Sequence, residues 1–312
     1  MSILFLFALG AADLAGLVEQ MRQFKLAGNE AAVAHLAPLV RAELEQNHGP
    51  HAALAWSQLG VHHSSRGDFA EAERAYRQAI RLAEAHDDKD ALSLALLNLA
   101  LDYLVPGNRP AQAEVLLQRA FSIATAHYGP DSPALTDFLN TLATARHQLG
   151  DRPGALLYYK RALVLAGDNP QGQLNKGFIL ANLSALRSEE KDWPAARDAL
   201  VEGIALIERY LGPTHPDLIA PSVALARVHS NVRQWERANA ALDRAQEITE
   251  MRLGPGHWLM AEVLTARAVI LRQTGHRSEA KKLEARAKAI ATAQPRNPSR
   301  DLEIHVSDLN RK

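Results

Sequence analysis

The sequence predicts an all-α fold, a right-handed superhelical solenoid of about seven antiparallel helix pairs. Three observations predict it. A turn-plus-alanine element recurs at a nearly constant period, a Gly-Pro loop is phased with it, and the composition is rich in alanine and free of cysteine. The 312 residues include 55 Ala and 47% apolar residues but only 5% aromatics, a mixture suited to helices that approach one another closely.

At the N-terminus, residues 3–12 form the apolar run ILFLFALGAA. It is too short to cross a bilayer, which takes about 20 residues, and no transmembrane helix is expected. Its length is that of a signal-peptide core, with small residues at Ala8-Leu9-Gly10, although only Met1 and Ser2 precede it and no basic region does. Two readings stay open, a cleaved export leader and a buried first helix. Export is preferred over a cytoplasmic location, because an apolar run at the extreme end lacks an obvious partner.

The repeat begins after this leader and spans residues 13–291. Its best unit runs from Trp56-Ser-Gln-Leu59-Gly60 through Gly67-Asp-Phe69 to Ala72-x-x-x-Tyr76-x-x-Ala79. Gly60 and Ala72 are small where two antiparallel helices approach, and Trp56, Leu59, Tyr76 and Ala79 supply knobs and holes. Gly67 can take the positive φ that ends the first helix. The same element recurs around Gly107, Gly150-Asp151, Lys191-Asp192-Trp193, Gln234-Trp235 and Gly275-His276. The key alanines are 72, 113, 155, 196, 238 and 280, and one further step back reaches Ala31. A 20–50-residue period of this regularity signals stacked supersecondary units.

Gly-Pro marks the exits from the second helices at Gly49-Pro50, Gly129-Pro130, Gly212-Pro213 and Gly254-Pro255. Glycine offers a left-handed C-terminal cap and proline forbids continuation. Each first helix should then run about 14 residues, or about 21 Å. From residue 292 the chain changes to a polar tail, with Gln294-Pro-Arg-Asn-Pro-Ser-Arg300 and then Leu302, Ile304 and Val306 at period two. A polar end and a segment docking on the chain's own groove are both compatible with it.

The W-x-x-L-G and A-x-x-x-Y-x-x-A spacing resembles the tetratricopeptide repeat. The 42-residue unit, the L-G-P-x-H-P linker and the L-N-x-L-A helices are similar to the kinesin light chain type. The resemblance implies a concave groove lined by the first helices of the pairs. It also implies a peptide-holding role for Asn98, Asn140 and Asn182, which match the L-N-N-L-A asparagines, one of the two being kept per repeat. Asn98 and Asn182 share one phase in this alignment and Asn140 sits one position earlier. An amide both donates and accepts, so one side chain can satisfy a peptide C=O and N–H.

By the same phase His147, Arg227 and Arg272 face the groove, with Thr144 and Ser230 nearby, and the basic groups favour an acidic or C-terminal peptide. The alternative is that the arginines solvate a helix face and the asparagines bond neighbouring helices.

Catalytic and metal chemistry find little support. The 13 His include no i,i+4 pair, and the sequence has no G-x-S-x-G, no G-x-x-x-x-G-K-[ST] and no G-x-G-x-x-G after a strand. The absence of Cys excludes disulfides, zinc ribbons and thiol catalysis. With 35 Lys+Arg against 35 Asp+Glu, no cationic surplus exists to release counterions from nucleic acid. The expectation is a non-catalytic scaffold without cofactor or metal and with no small-molecule substrate. It would bind a protein or peptide in the groove or, alternatively, serve as a structural subunit through its convex face and ends.

Overall fold

The computed structural model describes residues 13–46, 49, 51–104 and 109–293. The proposed leader, His48, Pro50, Gly107 and the tail from Gln294 onward lie outside the described residues. Among those described there are fourteen α-helices and no strand. They form seven pairs: α1 (Leu14–Leu26) with α2 (Glu30–Gln46), α3 (Ala52–Ser65) with α4 (Phe69–Ala85), and α5 (Lys89–Leu104) with α6 (Pro110–Tyr128). Next come α7 (Thr136–Gln148) with α8 (Arg152–Ala166), and α9 (Pro170–Glu189) with α10 (Trp193–Leu211). The last are α11 (Ile219–Asn231) with α12 (Trp235–Arg252), and α13 (Trp258–Gln273) with α14 (Arg277–Ala293). The first helices vary more than expected: α7 and α11 have 13 residues, whereas α9 has 20. No helix among the described residues is long and apolar enough to cross a membrane.

The predicted alanine seat is real. Ala72, Ala113, Ala155, Ala196, Ala238 and Ala280 have no exposed surface. Each donates its backbone N–H to the carbonyl four residues back, at Asp68, Arg109, Asp151, Asp192, Gln234 and His276. In the first pair the expectation of Ala31 is corrected. Ala31 is exposed, and Val33 occupies the seat, 2% exposed and bonded to Asn29 O. Asn29 is the residue whose side chain caps this turn, accepting from Ala32 N at 3.1 Å, and the seat is counted from the cap rather than from the neighbouring repeat. Gly60 has its predicted reason: a methyl there would fall on the Tyr76 ring.

Successive odd-numbered helices pack against one another from α1 through α13, whereas no two even-numbered helices pack extensively. The odd helices therefore line the inner, concave side and the even helices spread over the convex side.

The coil also returns on itself. The loop before α11 reaches the α1–α2 turn, where His215 Nε2 lies 3.4 Å from Lys25 O. One loop later, before α13, His257 Nε2 lies 2.6 Å from Ser65 O at the α3–α4 turn. Beside it the Phe69 and Trp258 rings meet edge-on, with centroids 6.3 Å apart. The two contacts share one offset of five pairs.

Candidate functional site on the concave face

The inner faces of α7, α9 and α11 enclose a cavity of about 590 Å³. Its floor is made of small residues, among them Ala181, Ala185, Ala220 and Ala224, with Trp193 to one side. Four of the residues singled out in the sequence line it: Thr144, His147, Asn182 and Arg227. A second cavity of about 320 Å³ between α11 and α13 shares Arg227 and adds Ser230, so the groove continues toward the seventh pair.

The asparagines form rungs between neighbouring pairs. Asn182 Nδ2 donates to Asn140 Oδ1 at 3.1 Å, and Asn98 Nδ2 donates to Ser57 Oγ at 3.2 Å. The assigned one-residue offset of Asn140 is thereby corrected: Asn140 and Asn182 stand opposite each other in one phase. Each rung uses one half of each amide, leaving the Asn182 carbonyl and the Asn140 N–H₂ group without a bond among the described residues. Asn98 lies on α5, outside both cavities.

The remaining polar groups differ in how far they are committed. Thr144 Oγ1 contacts Asn140 O at 3.1 Å and Tyr159 Oη at 3.2 Å, and burial pushes the Tyr159 hydroxyl up to about 12. His147 Nε2 lies 3.0 Å from Glu189 Oε1, while Arg152 Nε donates to Glu189 Oε2 at 2.8 Å. The Arg152 hydrogen bond, then the one from His147, holds the Glu189 carboxyl below the usual carboxylate range. Ser230 is buried and donates to Gln273 Oε1 at 2.6 Å. Arg272 makes a bidentate pair with Glu284 of α14, both contacts at 2.6 Å, and lines neither cavity. Arg227 is exposed and has no ion pair among the described residues. It is the guanidinium still available in the groove.

Sequence reasoning overlooked Glu189, and it read Trp193 only as part of a turn. The signal for Glu189 was present in the repeat phase, since it stands 42 residues, one repeat, after His147. Among the described residues no group of three or more potential ligands could hold a metal ion.

Two tetratricopeptide repeat family models match the chain, at residues 53–86 and at residues 179–217. No curated protein matches it. Solved structures share the fold. One is the Rap protein complexed with Competence and Sporulation Factor, 15% identical, with 90% of this chain and 87% of that chain covered at a TM-score of 0.66. Another is the APC/C hetero-tetramer Cut9-Hcn1, 17% identical, covering 97% of this chain and 49% of that chain at a TM-score of 0.62. This chain therefore spans about half the length of the second. With the alanine seat repeated from hairpin to hairpin and two hairpin regions matched by these models, the chain carries tetratricopeptide repeats.

Proposed function

We propose that this protein is a non-catalytic interaction scaffold that takes an extended peptide segment or a partner helix in the groove between α7, α9 and α11. The observation that carries the reading is a small-residue floor beside half-used amides at Asn140 and Asn182 and an unpaired guanidinium at Arg227. Small residues let a partner backbone come close. The amides can bond its main chain, and Arg227 favours a carboxylate, from an acidic side chain or a C-terminus. A likeness in fold to the Rap protein, solved complexed with Competence and Sporulation Factor, is consistent with a ligand-holding role.

The test is selection from a random peptide library on the full chain, followed by titration of the selected peptides. Asn182→Ala/Arg227→Ala should weaken them about tenfold or more, since each lost bond contributes roughly 0.5–3 kcal/mol. Equal affinity for both proteins would remove the groove from consideration. A second reading, assembly through the convex face, is favoured by Leu157, Val164 and Val201, which are 67%, 80% and 51% exposed on α8 and α10. Sedimentation of Leu157→Glu/Val164→Glu against wild type separates the two, because a groove binder stays unchanged.

A further inference from the structure

A cleft also opens on the convex face, away from the groove. Between neighbouring second helices the later one often reaches back with an arginine. Arg119 of α6 pairs with Glu84 of α4 at 2.6 Å, and Arg244 of α12 pairs with Glu208 of α10 at 2.8 Å. Arg161 of α8 donates to Pro130 O at 3.0 Å and lies over the Phe121 ring. At the matching register of α4 stands Gln78, too short to cross, and it instead accepts from Arg81 of its own helix. Among the described residues no side chain bridges α2 and α4 in this way, and a cleft of about 520 Å³ opens there.

The walls of this cleft are cationic. Arg41 comes from α2, and Arg74, Arg77 and Arg81 come from α4, with Trp56 of α3 beneath them. The acids nearby are already taken: Glu71 by Arg74, Glu73 by Arg77 and Glu84 by Arg119. Arg41 and Arg81 have no carboxylate partner among the described residues, and the Trp56 indole N–H has no acceptor there. A cleft with two unneutralised guanidinium groups over a half-buried indole is complementary to carboxylates flanking an apolar side chain.

We infer that the α2–α4 cleft docks an acidic segment of a partner protein, its carboxylates on Arg41 and Arg81 and an apolar side chain on Trp56. The probe is a fluorescein-labelled Glu-Glu-Leu-Glu-Glu-Leu peptide, followed by anisotropy on the full chain. Saturable binding that weakens as salt is added is expected. Arg41→Glu/Arg81→Glu should reduce affinity about tenfold or more at an unchanged unfolding midpoint, since both side chains are exposed. Asn182→Ala/Arg227→Ala should bind the probe as wild type does, so failure of the groove reading leaves this one standing.

Several results would overturn the assignment. One is absence of saturation, and another is equal binding of the Lys-Lys-Leu-Lys-Lys-Leu peptide. Retention of the probe by the Arg41/Arg81 variant would also do so. So would binding of vesicles of phosphatidylcholine with phosphatidylserine in place of the peptide, or a wild-type dimer that the same variant dissolves. Those two outcomes would give the cleft to a membrane surface and to a second copy of this chain.

Discussion

His257 Nε2 lies 2.6 Å from the carbonyl oxygen of Ser65, 192 residues earlier in the chain. The ring's other nitrogen settles which atom is protonated. Nδ1 accepts the backbone N–H of Leu259 at 3.3 Å, capping α13, so the neutral ring carries its proton on Nε2 and donates it to Ser65. His215 repeats the arrangement, with Nδ1 accepting from Asp217 N at 3.2 Å and Nε2 facing Lys25 O. Each histidine joins the start of its own pair to a pair one circuit earlier. Local capping and closure of the coil are thus carried by the same ring.

Removing these rings should open the coil without unfolding the pairs. His215→Ala/His257→Ala is expected to lower stability by about 1–2 kcal/mol, with a larger radius of gyration in small-angle X-ray scattering and unchanged helical circular dichroism. His257→Gln retains a donor near Ser65 O and should recover part of the compactness. An unaltered scattering curve for the double variant would show that the contacts are incidental to closure.

Acid should act on the same seam. Burial holds His257 below the ordinary imidazole value, against the pull of the Ser65 carbonyl, and burial together with the His63 charge lowers His62 to about 4. A depressed histidine favours the neutral ring in the folded state. Its stabilisation is complete above the unfolded value of about 6.5 and is lost as the pH falls below it, for His62 down to about 4. Between pH 7 and pH 5 we expect a loss of about 1–2 kcal/mol after solvent screening, read as a falling thermal midpoint. His62→Gln/His257→Gln should flatten that slope, and an equal slope in the variant would assign the acid sensitivity elsewhere.

The pairing of helices was legible because it is local. A seat four residues after each cap and a Gly-Pro exit recur along the chain, and they depend only on how one hairpin closes. The closure was not legible. His215 and His257 showed as repeated loop residues, but their acceptors sit opposite only because small rotations accumulate over five pairs, and no sequence window contains that sum. The asparagines fall between these cases. Their inward phase was readable from the L-N-x-L-A pattern, and the Asn140–Asn182 rung follows their spacing of 42 residues, one full repeat, which aligning the two motifs by their leucines obscured. The Arg272–Glu284 pair was not legible either, since Glu284 sits on the opposite helix of its own pair, 12 residues on.

A buried carboxyl at Asp102 should give the opposite pH slope. Ser64 Oγ donates to its Oδ1 at 2.6 Å, its Oδ2 has no partner among the described residues, and burial raises the group from 3.8 to about 7. A raised acid is stabilised protonated in the folded state. That contribution is present below the unfolded value and lost as the pH rises through about 7. Asp102→Asn keeps an acceptor for Ser64 and carries no charge. It should stabilise the protein by about 1–3 kcal/mol at pH 8 and leave it nearly unchanged at pH 4. Urea unfolding at the two values checks this, and equal effects at both would mean that Asp102 is ionised throughout.

A matched pair of glycines isolates the closing contact from backbone strain. Gly28 and Gly150 both have positive φ, 62° and 84°, in the turns of the first and fourth pairs. A Cβ at Gly150 would meet nothing within 4 Å, whereas one at Gly28 would come within 2.9 Å of Pro216 Cδ and 3.0 Å of His215 Cδ2. Gly150→Ala therefore reports left-handed strain by itself, about 1 kcal/mol. Gly28→Ala should cost that amount plus about 1–3 kcal/mol for pushing the His215 loop away, and it alone should enlarge the scattering radius. In the His215→Ala background the excess should shrink, because part of the obstacle has gone, so the two substitutions should couple rather than add. Equal destabilisation by Gly28→Ala and Gly150→Ala, with both coils still compact, would mean that the loop yields freely and that the seam does not hold the superhelix closed.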